Sequence, residues 1–362
     1  MNEIKRFLEV GSKIVKAKND LSVLAYLNKT ASELQVTNIK EWLSFKYSDD
    51  KASGLYSFND CKAFQELHGL NDKLGNEKFP EMPFSLSDIA SVPVSKENAA
   101  AMLHASVCVS DDETRYFMNG IYFADGNVIS TDGRRIYVAL GFDGFPSVIL
   151  PVSPALAFIL KNAEYIEMGT HSAERTEKVW NELTKKADEK PYTVIDSAIF
   201  SFIYKDCVMS YVTSVIEGQF PNYKNILKDK HLLEMGVPDV AAWNGYYKII
   251  KSLKKGDRLL VKQGADVGSV DIAVNERSST VPYPVGSMKW AEFYHEEPAQ
   301  EIISKIGKPE EPPYLLAINP LYFSDAVNME PIARVKFTSY IKAIEFNYSS
   351  GAMMLVMPMQ LD

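Results

Sequence analysis

The sequence predicts an α+β protein built from repeated units, each with two helices packed on antiparallel sheets. Three observations point to this. Helix-like stretches recur in pairs. Strand-like runs bounded by turn residues lie between them. The chain has 362 residues, beyond the ~100–200 of a typical domain, so two or three domains are expected.

The first helix of each pair spans Ile4 to Lys18, Lys96 to Val109 and Val240 to Lys255; the second spans Asn59 to Leu70, Pro154 to Asn162 and Pro320 to Met329. In the opening stretch Ile4, Phe7, Leu8, Ile14 and Val15 recur at helical spacing. Strand-like runs Leu24 to Leu27 and Glu33 to Leu43 follow it and echo Tyr116 to Gly120 and Val128 to Ile136 further on. Phe79-Pro80 recurs as Phe220-Pro221. The pattern fits three copies of one unit, and it also fits the simple alternation of helices and strands in any α+β protein.

The most informative stretch starts at Glu113. Alternating Tyr116, Met118, Ile121 and Phe123 suit a half-buried strand. Asp125-Gly126-Asn127 supplies a turn, and Val128 to Thr131 forms the returning strand. Asp132-Gly133 opens a second turn that delivers Arg134 and Arg135. Two segments break the regularity. The polar stretch Glu164 to Lys190 has mixed charge at helical spacing after Glu174, which predicts a surface helix packing Val179, Trp180 and Leu183. Val281 to Pro313, rich in proline, predicts a long loop interrupted by a short helix near Ala299 to Ile306.

Hydrophobic content of 46% and charged content of 24% fit an ordinary globular protein. No apolar run approaches a membrane span, and the opening Met-Asn-Glu-Ile-Lys-Arg leads into an amphipathic segment rather than an apolar one, so no secretory signal is expected. Cys61, Cys108 and Cys207 are few and widely spaced, which suits a reducing cytoplasm. The histidines His68, His104, His171, His231 and His295 fall at no metal-ligand spacing. Phosphate-binding and nucleophile-elbow motifs are absent. The acidic triplet Asp111-Asp112-Glu113 reads as a solvated loop. No catalytic residue, metal or cofactor is therefore expected. A net charge of −8 argues against a protein coated in positive charge, but not against a basic surface confined to one face, since fields are screened beyond ~8 Å in physiological salt.

Glu113-Thr114-Arg115-Tyr116-Phe117-Met118-Asn119-Gly120 and Ser130-Thr131-Asp132-Gly133-Arg134-Arg135-Ile136 resemble the D-x-R-Y-x-L-N-G and A-T-D-G-H-R-L segments of the bacterial sliding clamp family, the beta subunit of DNA polymerase III. Gly218-Gln219-Phe220-Pro221-Asn222-Tyr223-Lys224 resembles that family's linker G-x-F-P-D-Y-R, and Leu355 to Leu361 resembles its terminal V-V-M-P-M-R-L. The four segments occur in the family's order. The resemblance covers the chain from about residue 95 onward and is weak before that. It implies three similar clamp domains, at 1–83 (shortened), 84–228 (with 164–190 inserted) and 229–362, forming a ring on head-to-tail dimerisation. The ring would close between Leu70 to Leu74 of one chain and the region of Ile249 and Ile250 of the other. The implied work is that of a DNA sliding clamp: a non-catalytic processivity factor that encircles double-stranded DNA without reading its sequence and tethers a polymerase.

The resemblance also carries site residues. A pocket for polymerase and clamp-loader peptides falls on Met118, Thr131, Gly133, Arg134, Arg135, Ile136, Pro221, Ile226, Asn319, Tyr322, Leu355, Val356, Met357, Pro358 and Gln360. An extended peptide with Leu and aromatic anchors needs such an apolar socket, and methionines adapt to differing partners. The DNA face falls on Lys5, Arg6, Lys13, Lys16, Lys18, Arg115, Tyr116, Lys161, Lys248 and Lys251. There a stripe of cations meets phosphates diffusely, as sliding requires. Without the resemblance, the same lysines read as solvated helix faces. The rim departs from the family: Arg134 stands for its His, Asn225 for the linker's second Arg, and Gln360 for its terminal Arg. Partner preference is expected to differ accordingly, as suits the clamp of a virus or mobile element with its own polymerase, acting in the host cytoplasm. A clamp-like protein that binds such peptides without encircling DNA is the alternative.

Overall fold

A computed structural model describes residues 3–16, 21–71, 78–82, 84–86, 89–181, 186–228, 233–235, 258–263, 269–275, 283–289, 314–337 and 342–359. The chain divides into two compact units: Met1–Ser106 with Asp112–Val128 and Gly141–Phe220, and Val107–Asp111 with Ile129–Leu140 and Pro221–Asp362.

In the first unit, helix α1 (Glu3–Gly11) buries Ile4, Phe7, Leu8 and Val10 and leaves Lys5 exposed. It stops at Gly11, where the expectation carried it to Lys18. Strands β1 (Tyr26–Lys29), β2 (Glu33–Thr37), β3 (Glu41–Lys46) and β4 (Gly54–Ser57) follow. The β2–β3 turn is set by Asn38, whose Oδ1 accepts the Lys40 and Glu41 N–H groups at 3.1 and 2.8 Å. Helix α2 (Phe58–Phe64) starts on a Ser57 cap and is shorter than expected. Strand β5 (Ser91–Pro93) precedes helix α3 (Lys96–Ser106).

Glu113–Met118 then forms a 3-10 helix, where the alternation had suggested a strand. Its cap decides this: Asp112 Oδ1 accepts from the Thr114 N–H at 2.9 Å and the Thr114 hydroxyl at 2.6 Å, and Arg115 Nε donates to Oδ2 at 2.9 Å. Strand β6 (Ile121–Ala124) and the start of β7 (Asn127–Thr131) flank Asp125-Gly126, with φ of 52° and 73°, the left-handed pair of a two-residue hairpin turn. Strand β8 (Arg135–Leu140) belongs to the second unit. Strand β9 (Ile149–Leu150) pairs with β6. Helix α4 (Pro154–Asn162) matches its expected bounds, capped by Ser153 and opened by Pro154.

The expected helix after Glu174 is a strand. Strands β10 (Tyr165–Asn181) and β11 (Lys186–Tyr204) run antiparallel over their full length, and β11 pairs on with β12 (Cys207–Ser214). The outer register sets Glu177 opposite Lys190 and Lys178 opposite Glu189. Cross-strand opposite charges favour a ribbon as well as they would favour a helix face. At its base Gly169 lets β5 approach: a Cβ there would lie 2.5 Å from Ile89 Cγ2 and 2.8 Å from the Ala90 carbonyl oxygen. Phe84 stacks on His171 at 3.8 Å, and His171 Nδ1 lies 2.9 Å from Asp196.

The sheet order in this unit is β4-β1-β2-β3-β12-β11-β10-β5. Through the β3–β12 pairing, strands from within 1–83 and strands from within 84–228 join in this one sheet. Helix α1 packs on α2 and α4, and α3 packs on α4.

The second unit contains β13 (Leu233–Met235), β14 (Arg258–Gln263), β15 (Ser269–Asn275), β16 (Tyr283–Lys289), β17 (Tyr314–Ile318), β18 (Ile332–Phe337), β19 (Ile344–Tyr348) and β20 (Met353–Val356). One sheet orders β13-β18-β19-β20-β8-β7, and another orders β16-β15-β14-β17. Strand β16 corrects the expectation that the chain from Val281 is loop up to a short helix near Ala299: Pro284 is accommodated where the β15–β16 register shifts, a position where a missing N–H is tolerated. The short helix expected near Ala299 to Ile306 and the helix at Val240 to Lys255 lie outside the described residues. The Pro320–Met329 helix is as expected and buries Phe323, Ala326 and Val327.

Candidate functional site

Most of the residues expected in the socket lie in the second unit, where local chemistry shapes the turn at Thr131 to Arg135. Thr131 donates to the Arg135 carbonyl at 2.7 Å and accepts the Gly133 N–H at 3.0 Å. Asp132 Oδ1 accepts the N–H groups of Arg134 and Arg135 at 2.9 and 3.0 Å. Gly133, at φ +85°, closes the turn in a conformation that costs other residues about 1 kcal/mol. The turn is thus held by its own side chains.

From this turn β8 pairs with β20, setting Ile136 opposite Leu355 and Arg135 opposite Val356. The Met357 N–H extends the ladder to the Arg134 carbonyl at 2.8 Å, and the Met359 N–H reaches the Ala317 carbonyl at 2.8 Å. Pro358, between these two bonds, has no N–H to leave unsatisfied. Ile136, Leu355 and Val356 are buried, whereas Met357 is 40% exposed. The first three belong to the core of the unit, and Met357 faces outward.

Asn319 caps the Pro320–Met329 helix, its Oδ1 accepting the Leu321 and Tyr322 N–H groups at 2.9 and 3.4 Å. Asn319 is therefore occupied by the helix end. Leu321 is 53% exposed. The Arg135 guanidinium lies 4.4 Å from the Tyr322 ring centroid. Its Nε donates to Asp132 at 2.9 Å, its Nη2 to the Val107 carbonyl at 2.7 Å, and its Nη1 to Asp325. Only 11% of the Arg135 side chain is exposed. It is a brace between turn and helix rather than an open contact for a partner. Burial, then the Asp132 carboxylate, push the Tyr322 phenol above its ordinary pKa, with Arg135 and Arg134 opposing. Burial pushes the Cys108 thiol up to about 12, so it stays protonated.

Met118 belongs to the first unit, where it is buried. Thr131 is buried, Pro221 is half-buried, and Ile226 is exposed on the 3-10 helix Tyr223–Lys228. Gln360 lies outside the described residues.

Of the residues assigned to DNA, Lys5, Lys13, Lys16 and Lys161 are exposed in the first unit. Lys13 sits 5.5 Å over the Phe158 ring, which ties α1 to α4. Arg6 turns inward instead: its side chain is 14% exposed and donates to Cys207 Sγ at 3.5 Å, with Asp206 at 3.9 Å. Arg115 pairs with Asp112, and Tyr116 is 54% exposed. Lys18, Lys248, Lys251, Ile249 and Ile250 lie outside the described residues. Leu70, expected at a ring junction, is 41% exposed.

Sequence reasoning passed over Asp325, although its place three residues after Tyr322 puts both on one helix face. It also passed over Lys62 and Lys205, which line a hollow of about 390 Å³ with Lys5, Glu9 and Ser12. No sequence signal joins those two lysines, since the fold brings them together from α2 and a hairpin turn.

No family model matches the chain. It is similar to the beta sliding clamp of Treponema pallidum (strain Nichols), with 25% identity over 306 residues, covering 80% of this chain and 70% of that protein. Among solved structures it is similar to the DNA polymerase sliding clamp of Bacillus subtilis, with a TM-score of 0.67 and 13% identity over 99% of this chain and 97% of that one. A DNA polymerase III beta subunit of Eubacterium rectale aligns with a TM-score of 0.69 and 12% identity, over 99% and 98% of the two chains. A sliding clamp of Bartonella birtlesii, solved with griselimycin bound, aligns with a TM-score of 0.67 and 14% identity, again over 99% and 98%. The chain has the sliding-clamp fold, and the resemblance read from its motifs is borne out by these likenesses.

Proposed function

We propose that this chain, a divergent relative of the bacterial beta sliding clamps, is a DNA sliding clamp. It is a non-catalytic processivity factor that encircles double-stranded DNA without reading its sequence and tethers a polymerase by a peptide tail. It acts in the cytoplasm. Tethering raises the effective concentration of the polymerase at the primer end, so a weak peptide contact suffices.

Three domains per chain, at 1–83, 84–228 and 229–362, make a six-domain ring from two chains joined head to tail. The observation that supports the tethering role best is the β8–β20 pairing. It brings two of the clamp-like motifs, about 220 residues apart in the chain, into adjacent register. Beside them stand an outward Met357 and the braced Tyr322. Ile136, Leu355 and Val356 serve as socket floor; Met357, Pro358 and Ile226 serve as apolar rim.

Lys5, Lys13, Lys16 and Lys161 support a basic face toward DNA despite the net charge of −8. The test is retention on circular DNA, with light scattering for mass. A dimer of about twice 40.6 kDa that stays on circular DNA and leaves on linearisation is expected. Replacing the four lysines by Gln should shorten retention and flatten its salt dependence. A strict monomer, or equal loss from circular and linear DNA, would refute encirclement.

A further inference from the structure

The first unit holds another hollow, of about 640 Å³, which shares no residue with the socket or with the lysine-lined hollow. It lies where β3 ends and β12 begins, and Met82, Phe84 and Leu86 line it from a separate segment. That segment is pinned: the Phe84 ring stacks on His171 at 3.8 Å, and His171 is paired with Asp196 on β11. The lining has two polar features. Ser44 is 4% exposed and stands opposite Ser210 across the β3–β12 ladder, and both line the hollow. Neither hydroxyl has a hydrogen-bond partner among the described residues. A hydroxyl left unpaired at the burial of Ser44 costs about 1–3 kcal/mol, and a ligand's backbone would relieve it.

The second feature is an acidic rim. Glu3 in the first turn of α1, Glu33 on β2 and Asp206 in the β11–β12 turn border the hollow, against one described cation, Lys46. Lys205 and Asp206, at φ 49° and 67°, form the left-handed pair that fixes this turn. The Asp206 side chain is 89% exposed, and Arg6 approaches it only to 3.9 Å. Glu33 accepts from Gln35 at 2.9 Å and pairs with no described cation. The field of Glu3 reaches Tyr47 and Cys207, beside the two strand ends that frame the hollow. Val208, 63% exposed, adds an open apolar surface. Among the described residues no cluster of acids is placed to hold a metal ion, and such a rim repels nucleic-acid phosphates. We propose that this hollow binds a partner peptide: an extended segment whose apolar side chain is flanked by Lys or Arg. The apolar residue packs between Val208 and Phe84, the backbone bonds to Ser44 and Ser210, and the cations meet Glu33 and Asp206. The volume falls within the ~300–1,000 Å³ of ligand pockets. This site is independent of the socket and of tethering.

The experiment uses the full chain at physiological salt and three fluorescent heptapeptides, in which Leu and Phe alternate with Lys, with Gln or with Glu. The Lys peptide should bind about fivefold tighter than the Gln peptide, the range of exposed ion pairs, and the Glu peptide should bind weakest. Glu33→Gln combined with Asp206→Asn keeps both side-chain shapes and should bring the Lys-to-Gln ratio near one. Val208→Gln should weaken the Lys and Gln peptides alike. Bound Lys peptide should slow hydrogen exchange across residues 82–86 and 207–210. Failure of the Lys peptide to bind overturns the proposal. A ratio unchanged in the double variant shows general attraction to a chain at −8 and overturns it as well. Slowed exchange confined to residues 131–135 puts the peptide in the socket and has the same consequence.

Discussion

Replacing Arg135 by Met keeps most of the stem and removes the guanidinium, which isolates the brace between the turn and the Pro320–Met329 helix. Three groups then lose a donor. The Asp132 carboxylate, 14% exposed, keeps its backbone N–H partners and the Tyr322 hydroxyl but loses its counter-charge; losing a charge-assisted bond at that burial costs about 2 kcal/mol. Asp325, 38% exposed, regains water and costs less than about 1 kcal/mol. The Val107 carbonyl loses its 2.7 Å bond, worth about 1 kcal/mol. The expected loss is about 3 kcal/mol, and Arg135→Lys, which keeps the charge but not the fork, should recover only part of it. Asp325→Asn should cost about 1 kcal/mol or less. Urea unfolding reads the total, and hydrogen exchange locates it at Thr131 to Leu140 and Pro320 to Met329. A loss for Arg135→Met below about 1 kcal/mol, or exchange unchanged in those segments, would show that the contacts seen here do not brace the site.

Two further predictions concern the first unit. Lys29 is buried and pairs with Asp49 at 3.2 Å. Burial raises the Asp49 carboxyl, but hydrogen bonds from Tyr47, Lys29 and the Lys51 N–H outweigh it and hold it below its ordinary 3.8. An acid depressed in the folded state stabilises above its ordinary pKa, and that contribution is lost as pH falls through the folded value. Melting temperature should therefore drop more steeply below about pH 4 in wild type than in Lys29→Met; parallel curves would exclude the pair as the cause. The outer β10–β11 ribbon should be dispensable to folding. Replacing residues 174–193 by Asn-Gly removes strand pairing internal to the ribbon and the exposed Arg175–Glu217 pair, and an exposed pair adds little to stability. A melting temperature lowered by ten degrees or more would mean the ribbon supports the sheet.

Much of the candidate site was legible because its shape is set by neighbours in sequence. Thr131, Asp132 and Gly133 bond within four residues of themselves. Asn319 and Ser153 cap the helices that begin beside them. Asp125-Gly126 makes a turn that depends only on its own φ angles. Helical spacing was equally clear in Pro154 to Asn162 and Pro320 to Met329. It misled after Glu174, because charges that complement each other along a helix also complement each other across a hairpin, and only a second strand could decide between the two.

By itself, the sequence determined the α+β class, the local turns and caps, and the motifs that point to a clamp. Those depend on interactions within about four residues, where the chain carries both partners. The tertiary structure alone decided the use of each charged group. Arg6 turns inward because Asp206 and Cys207, about 200 residues away, meet it. Arg135 becomes a brace because Asp325, 190 residues away, reaches its guanidinium, and Arg134 is left exposed beside Met357 because Asp132 and Asp325 both turn to its neighbour. A charge is satisfied by whichever opposite group the fold brings within about 4 Å, and the position of that group is not written near the residue it serves.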